Sequence, residues 1–129
     1  MFRMLVFAIA LGAAALAVTP GRAQELIESY VAFLSEQDHF NSNGQRLTSA
    51  AAIIRQDRAN FHRFGIRDAE DQDDPFFGDE ANRAALEQML ERGHADPGVV
   101  VRIVNGVALI KVDIYREAGE VFIRVMLLR

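Results

Sequence analysis

Two adjacent charged residues, Asp57 and Arg58, are the first candidates for chemistry in this chain because they interrupt an apolar helical stripe. At about 3.6 residues per turn, Ala50, Ile54 and Phe61 fall on one side of a helix. The positions that complete this side are Asp57 and Arg58. A buried charge without a partner costs several kcal/mol, so each of the two side chains needs a partner.

The charged pair has two interpretations. Since neighbours in sequence do not face each other on a helix, we expect the partners in other segments, chiefly backbone groups of the loop at 38–45 or of the loop at 67–80. In the first interpretation, the charges tie these loops to the helix, because buried ion pairs organise structure more often than they catalyse. In the second, Arg58 holds a carboxylate or phosphate in a cleft, with His62 one turn further along.

An enzymatic alternative uses Asp57 with two histidines, His62 and His39, in a small hydrolase or a metal-assisted enzyme. It requires these groups to converge within hydrogen-bond or ligand reach. The third histidine, His94, adds no ligand spacing of the type H-x-x-x-H or H-x-H, so we predict neither a metal centre nor a cofactor. A cysteine nucleophile is excluded because the chain has no cysteine, and no serine lies in a G-x-S-x-G turn.

Charge is distributed unevenly along the middle of the chain. The stretch 46–67 contains five arginines and a single acid, Asp57, whereas 67–80 contains seven acids and one arginine. The simplest interpretation is that the acidic loop at 67–80 lies near the basic helix and offsets its field. The alternative is a cationic surface that binds a small anionic ligand or a protein partner and is screened by this loop in the free protein.

The acidic loop also raises the question of calcium. An EF-hand starting at Asp68 would need glycine at its sixth position, where the chain has Asp73, so only an irregular, weak calcium site is left open. The aromatic pair Phe76 and Phe77 either pins this loop to the core or, if exposed, forms a binding hot spot. We therefore include Phe76 and Phe77 with Asp57, Arg58 and His62 as candidate binding residues.

The candidate residues are positioned by predicted helices. Apolar residues on one arc predict a helix over 25–36, and Thr48 or Ser49 offers an N-cap for a second helix that reaches Phe64. Asp79 caps a third helix through Arg92. The segment 97–104 has both helix and strand signals, and we favour a short helix.

Alternation of apolar and polar residues predicts two C-terminal strands, Val107 to Tyr115 and Val121 to Leu127, joined at Ala118-Gly119 as an antiparallel hairpin. The predicted fold class is therefore α+β, with three or four helices followed by a small C-terminal antiparallel β-hairpin or three-stranded meander. If the sheet has only two strands, the apolar edge strand Val121 to Leu128 is expected to pair into a homodimer.

The first 23 residues resemble a bacterial export signal. Arg3 forms a positive n-region, Leu5 to Val18 is apolar but short for a bilayer span, and Gly21 to Ala23 places small residues at a cleavage site. Cleavage after Ala23 leaves a single domain at 24–129, periplasmic or secreted and free of the membrane. An uncleaved anchor is the alternative, and lipid attachment is excluded because it needs a cysteine.

Loss of the leader removes Arg3 and Arg22, which takes the formal charge from −4 to about −6. Such a charge disfavours nucleic acid as a partner. No motif in the mature domain is specific enough to name a reaction. We therefore expect a small exported bacterial domain that is a non-enzymatic binding or envelope-associated protein, with the hydrolase or metal-assisted enzyme as the alternative.

Overall fold

The computed structural model describes residues 23–129; the predicted export signal, apart from its last residue, lies outside the described part. The elements in chain order are β1 (Glu25–Leu34), α1 (Ala50–His62), α2 (Glu80–Ala84), α3 (Leu86–Arg92), β2 (His94–Ala95), α4 (Pro97–Asn105), β3 (Ala108–Glu117) and β4 (Glu120–Leu127). Short 3₁₀ turns lie at Glu36–His39 and Phe76–Gly78.

The α+β class is confirmed, but the predicted order of helices first and a hairpin last is wrong. Within residues 23–129, the sheet has four strands in the order β1-β3-β4-β2, and its first strand precedes every helix of this part of the chain. The central strand β3 pairs antiparallel with β1 and with β4, while β2 pairs parallel with β4. The predicted hairpin forms, yet it is only half of a mixed sheet.

The segment predicted as the first helix is β1, and it pairs with β3 from Glu25↔Arg116 to Leu34↔Ala108. A register shift between Leu26 and Glu28 breaks the two-residue alternation, so the apolar residues fall by chance on a helical arc. The inward-facing residues Tyr30 and Leu34 are buried. Pairing with a long central strand outweighs the local helical pattern.

The helices otherwise follow the sequence signals. Ser49 caps α1, its side chain accepting a hydrogen bond from the Ala52 backbone N–H at 3.1 Å. Asp79 caps α2 in the same way. The predicted third helix is divided into α2 and α3 at Ala85, whose backbone leaves the helical region, and the ambiguous segment at 97–104 is the helix α4.

The core lies between the sheet and the helices. It takes Ile110, Val112 and Ile114 from β3, together with apolar side chains from β1, α1, α3 and α4. In the described residues, no helix is both long and apolar enough to cross a bilayer.

The sheet edges bear on the predicted homodimer. β2 covers β4 at Arg124 and Val125, and the sheet has four strands, so the two-strand condition for edge pairing is not met. At the other edge, the acidic loop covers β1: the Gln72 N–H donates to the Val31 carbonyl at 2.8 Å, and the Phe33 N–H donates to Asp71 Oδ1 at 2.9 Å. Dimerisation through Val121 to Leu128 stays a prediction.

Candidate functional site

Arg58 is the centre of a buried polar network on the inner face of α1. Its side chain is fully buried, and its Nε donates to Asp57 Oδ2 at 2.8 Å. Its Nη1 donates to Asp74 Oδ1 at 2.7 Å and to the Gln72 carbonyl at 3.0 Å. Burial is the largest single influence and acts to lower the pKa of Arg58, but the neighbouring groups Asp57, Tyr30 and Asp74 together outweigh it, so the net shift is upward.

The prediction that Asp57 and Arg58 find separate partners is wrong in one respect. The arginine side chain is long enough to fold back, so its Nε reaches the carboxylate of the preceding residue. The other bonds of Arg58, to Gln72 and Asp74, lie in the acidic loop as expected. The guanidinium carbon also lies 4.4 Å from the ring centre of Tyr30 and 4.5 Å from that of Phe61, within cation–π range.

Asp74 joins the acidic loop to the helix. It is fully buried, and its Oδ1 lies 2.9 Å from His62 Nε2 as well as bonding Arg58. Its Oδ2 accepts a hydrogen bond from the Phe77 N–H at 2.8 Å. The sequence signal at this position was only the Asp74-Pro75 turn, which does not reveal that the carboxylate points inward.

A second polar cluster lies at the end of β1. One oxygen each of Asp38, Asp57 and Asp68 lies within 4.8 Å of the others. Asp38 already accepts hydrogen bonds from the Asn60 amide and from both the N–H and the hydroxyl of Ser35.

The pKa values of two cluster members are raised. Burial raises the pKa of Asp57 well above its ordinary value, and the charges of Asp38 and Asp71 add to this effect. Burial also raises the pKa of Asp68, again with contributions from Asp71 and Asp38. Asp68 therefore holds its proton at pH values where a free aspartate has lost it.

His39 is a structural bridge. It is buried, with Nδ1 2.7 Å from the Ser35 carbonyl and Nε2 2.7 Å from the Ile103 carbonyl in α4. A neutral imidazole can donate only one hydrogen bond, so only the protonated ring satisfies both carbonyls. His39, His62 and Asp57 are each bonded to different groups, and no hydrogen bond joins any two of them within residues 23–129.

The aromatic pair of the acidic loop packs inward. Phe77 is fully buried and meets the Tyr30 ring edge to face at 6.1 Å, while Phe76 is half-buried and donates its backbone N–H to Glu28 Oε2 at 3.1 Å. Phe77 thus anchors the loop and presents no surface to a partner.

The third histidine, His94, is exposed, and its Nε2 lies 2.7 Å from Asp96 Oδ1.

The outer face of α1 carries an open groove that the sequence reasoning did not find. The groove lies between the helix positions Ala52, Arg55, Ala59 and Arg63 and the turn Asn41–Gln45, and it is called the α1 groove below. The groove consists of two adjoining cavities, called its first and second halves, whose linings share residues of α1 and of this turn. Each half has a volume of about 320 Å³. The only available signal was the spacing of these four positions along one helical face, which has no apolar pattern to mark it.

The turn that forms the far wall of the α1 groove is held by its own hydrogen bonds. Asn41 Oδ1 accepts from the N–H groups of Asn43 and Gln45, and Asn41 Nδ2 donates to the side chain of Gln45 at 2.9 Å. Gly44 takes the left-handed conformation, with φ of 74°, that the turn requires. The wall is therefore formed before any ligand binds.

The α1 groove is a positive site on an acidic domain. Arg55 and Arg63 line it, and the lining contains neither Asp nor Glu. Within residues 23–129, neither arginine forms an ion pair, whereas Arg58 on the inner face binds two carboxylates. The acidic loop thus offsets the charge of the inner face and leaves the charge of the outer face available.

Comparison with known proteins finds no matching family model, no matching curated protein and no matching solved structure.

Proposed function

We propose that residues 24–129 form an exported, non-enzymatic binding domain whose binding surface is the α1 groove. The observation that carries this proposal is a preformed groove lined by Arg55 and Arg63, with no acid, on a domain whose formal charge is about −6. Because Arg58 and Phe77 are fully buried, we place the surface on the opposite side of α1 from the candidate residues of the inner network.

The bonding of the potential catalytic groups supports a non-enzymatic role. Asp57 accepts from Arg58, His62 lies against Asp74, and both nitrogens of His39 face backbone carbonyls. A general base needs a lone pair within reach of substrate. Instead, His62 bonds the acidic loop, His39 joins the end of β1 to α4, and Asp57 neutralises Arg58 within α1.

Export is supported by the residue pattern of the leader, which ends in small residues before a polar segment. We expect protein recovered from the periplasm or medium of the native host to have the intact mass of a chain that begins at Gln24. Protein recovered only from the cytosol with Met1 retained would contradict export without bearing on the α1 groove.

Binding is tested by hydrogen-exchange mass spectrometry of residues 24–129, alone and in concentrated periplasmic and extracellular extract of the host. We expect slower exchange in extract at the turn Asn41–Gln45 and along α1 through Phe64. The double reversal Arg55→Glu with Arg63→Glu should abolish this added protection.

The matched control is the double reversal Arg102→Glu with Arg116→Glu, which changes the charge equally at exposed arginines outside the groove. This control should retain the protection. Added protection that maps elsewhere, or that survives the groove reversal, would rule out the α1 groove as the binding surface.

A further inference from the structure

We propose that the ligand of the α1 groove is an extended acidic segment of a partner protein that also carries apolar side chains. This inference rests on the proposed binding function and names the chemistry of its partner. Three features of the groove support it: its charge, its apolar floor and a side-chain amide of its lining.

The charges of the groove select an anionic partner. Arg55 and Arg63 lie eight residues apart on α1, about two helical turns, so their guanidinium groups mark separate positions along the groove. Both side chains are exposed. Two separated positive positions suit an extended chain with more than one carboxylate better than a single compact anion.

The floor of the groove selects apolar side chains. Phe64 lines both halves and is 48% exposed, and Ile66, which lines the second half with Phe40, is 41% exposed. Leu47 adds apolar surface to the first half. Exposed apolar residues grouped at a positive site mark a contact for a partner that covers them while pairing its acids with the arginines.

One amide side chain of the groove lining suits an extended backbone. Gln56 lines both halves, and its Nε2 donates to Asn60 Oδ1 at 2.9 Å, while its Oε1 has no hydrogen-bond partner within residues 23–129. This oxygen can accept a hydrogen bond from a backbone N–H of an unpaired peptide.

Other anions fit less well. A free phosphate would contact exposed guanidinium groups in high dielectric, where each pair contributes little, and it would leave Phe64 and Ile66 uncovered. A nucleic acid would meet repulsion from the domain as a whole, since its formal charge is about −6.

A second copy of the chain is also disfavoured. Its acidic loop is the one strongly acidic segment it could offer, but Asp74 bonds that loop to Arg58 of its own α1, and Phe77 packs the loop against Tyr30 of its own β1. Insertion of this loop into the groove of another copy would join different surfaces, which produces rings or open filaments.

The test is fluorescence anisotropy of residues 24–129 with a short labelled peptide composed of Asp, Glu, Phe and Leu. Three related peptides replace its acids with Asn and Gln, its acids with Lys, or its apolar residues with Gly and Ser. We expect the acidic apolar peptide to bind and each replacement to weaken binding.

The groove reversal Arg55→Glu with Arg63→Glu should weaken binding of the acidic apolar peptide at least about tenfold, because two attractions become repulsions. The control reversal Arg102→Glu with Arg116→Glu should leave binding within about twofold of the wild type. Charges outside the groove act on the bound peptide only through an electric field that salt screens.

Equal binding of the amide peptide, or binding that survives the groove reversal, would overturn the acidic specificity. Competition by inorganic phosphate at low millimolar concentration, or by an oligonucleotide, would assign the groove to those anions, and concentration-dependent mass in light scattering would assign it to a second copy. If no peptide binds while the groove is protected in host extract, the partner class is wrong and the binding function stands. If no peptide binds and the groove is not protected in host extract, both the partner class and the binding function are wrong.

Discussion

At the scale of single residues, Arg58 shows how a charge can occupy a core position. Its guanidinium has two carboxylates, one backbone carbonyl and two aromatic faces around it, so little of its charge is left without compensation. The sequence located this residue correctly within the buried stripe of α1. Its principal partner Asp74 was not predictable, because the distance in sequence between them says nothing about how the intervening loop turns back.

Among the titratable residues, Asp68 gives the clearest pH prediction. Its pKa is raised by burial and then by neighbouring carboxylates, so the folded state binds its proton more tightly than the unfolded state does. The stability due to this group is complete below the unfolded pKa of about 3.9 and is lost as pH rises through the folded pKa. Relative to the wild type, the variant Asp68→Asn should therefore gain stability as the pH is raised from acid to neutral.

Urea unfolding of both proteins across this pH range measures the effect. Asp73→Asn is the control, because Asp73 is exposed and has no hydrogen bond or ion pair from its side chain to any described residue. The difference between Asp73→Asn and the wild type should change less with pH. A difference for Asp68→Asn that shrinks or stays constant as pH rises would show that folding does not raise the pKa of Asp68.

At the scale of elements, the two faces of α1 have different roles. The inner face holds the acidic loop against β1 through Arg58 and Asp74, and the outer face carries Arg55 and Arg63 beside the turn Asn41–Gln45. The bounds of α1 were predicted well because a Ser49 cap and apolar spacing agree. β1 was predicted wrongly because its irregular register mimics helical spacing, and only its partner β3 reveals it as a strand.

The two faces predict different effects of equal substitutions. Arg58→Ala leaves Asp57 and Asp74 without their cation and should lower the free energy of unfolding by about 3–5 kcal/mol. Arg55→Ala, on the same helix but exposed and without an ion pair in the described residues, should change it by no more than about 0.5 kcal/mol.

Chemical denaturation monitored by circular dichroism gives both values. If Arg58→Ala proves as stable as Arg55→Ala, the buried network does not hold the loop and the division of α1 into two faces is incorrect. A variant of Arg58 too unstable to purify agrees with the prediction, provided that Arg55→Ala folds normally.

At the scale of the whole molecule, the distribution of charge links the fold to the proposed function. Of the seven acids at 67–80, Asp79 caps α2 and Glu80 begins it. The other five lie in a loop that is tied to the inner face of α1 and to the edge of β1, so their charge is held on one side of the domain. The groove on the other side has two arginines that form no ion pair with any described residue, in a domain with about six excess negative charges. The sequence predicted this dipolar character but not which arginines stay available, since that depends on the side of α1 that the loop covers.

The proposed binding surface is the outer face of α1. Amide NMR spectra of residues 24–129, recorded during a titration with the acidic apolar peptide, locate the bound surface residue by residue. We expect the largest shift changes at the turn Asn41–Gln45 and at Arg55, Arg63 and Phe64. Changes centred on Phe76 and Phe77, or on the edge strand Val121 to Leu128, would contradict this placement of the binding surface.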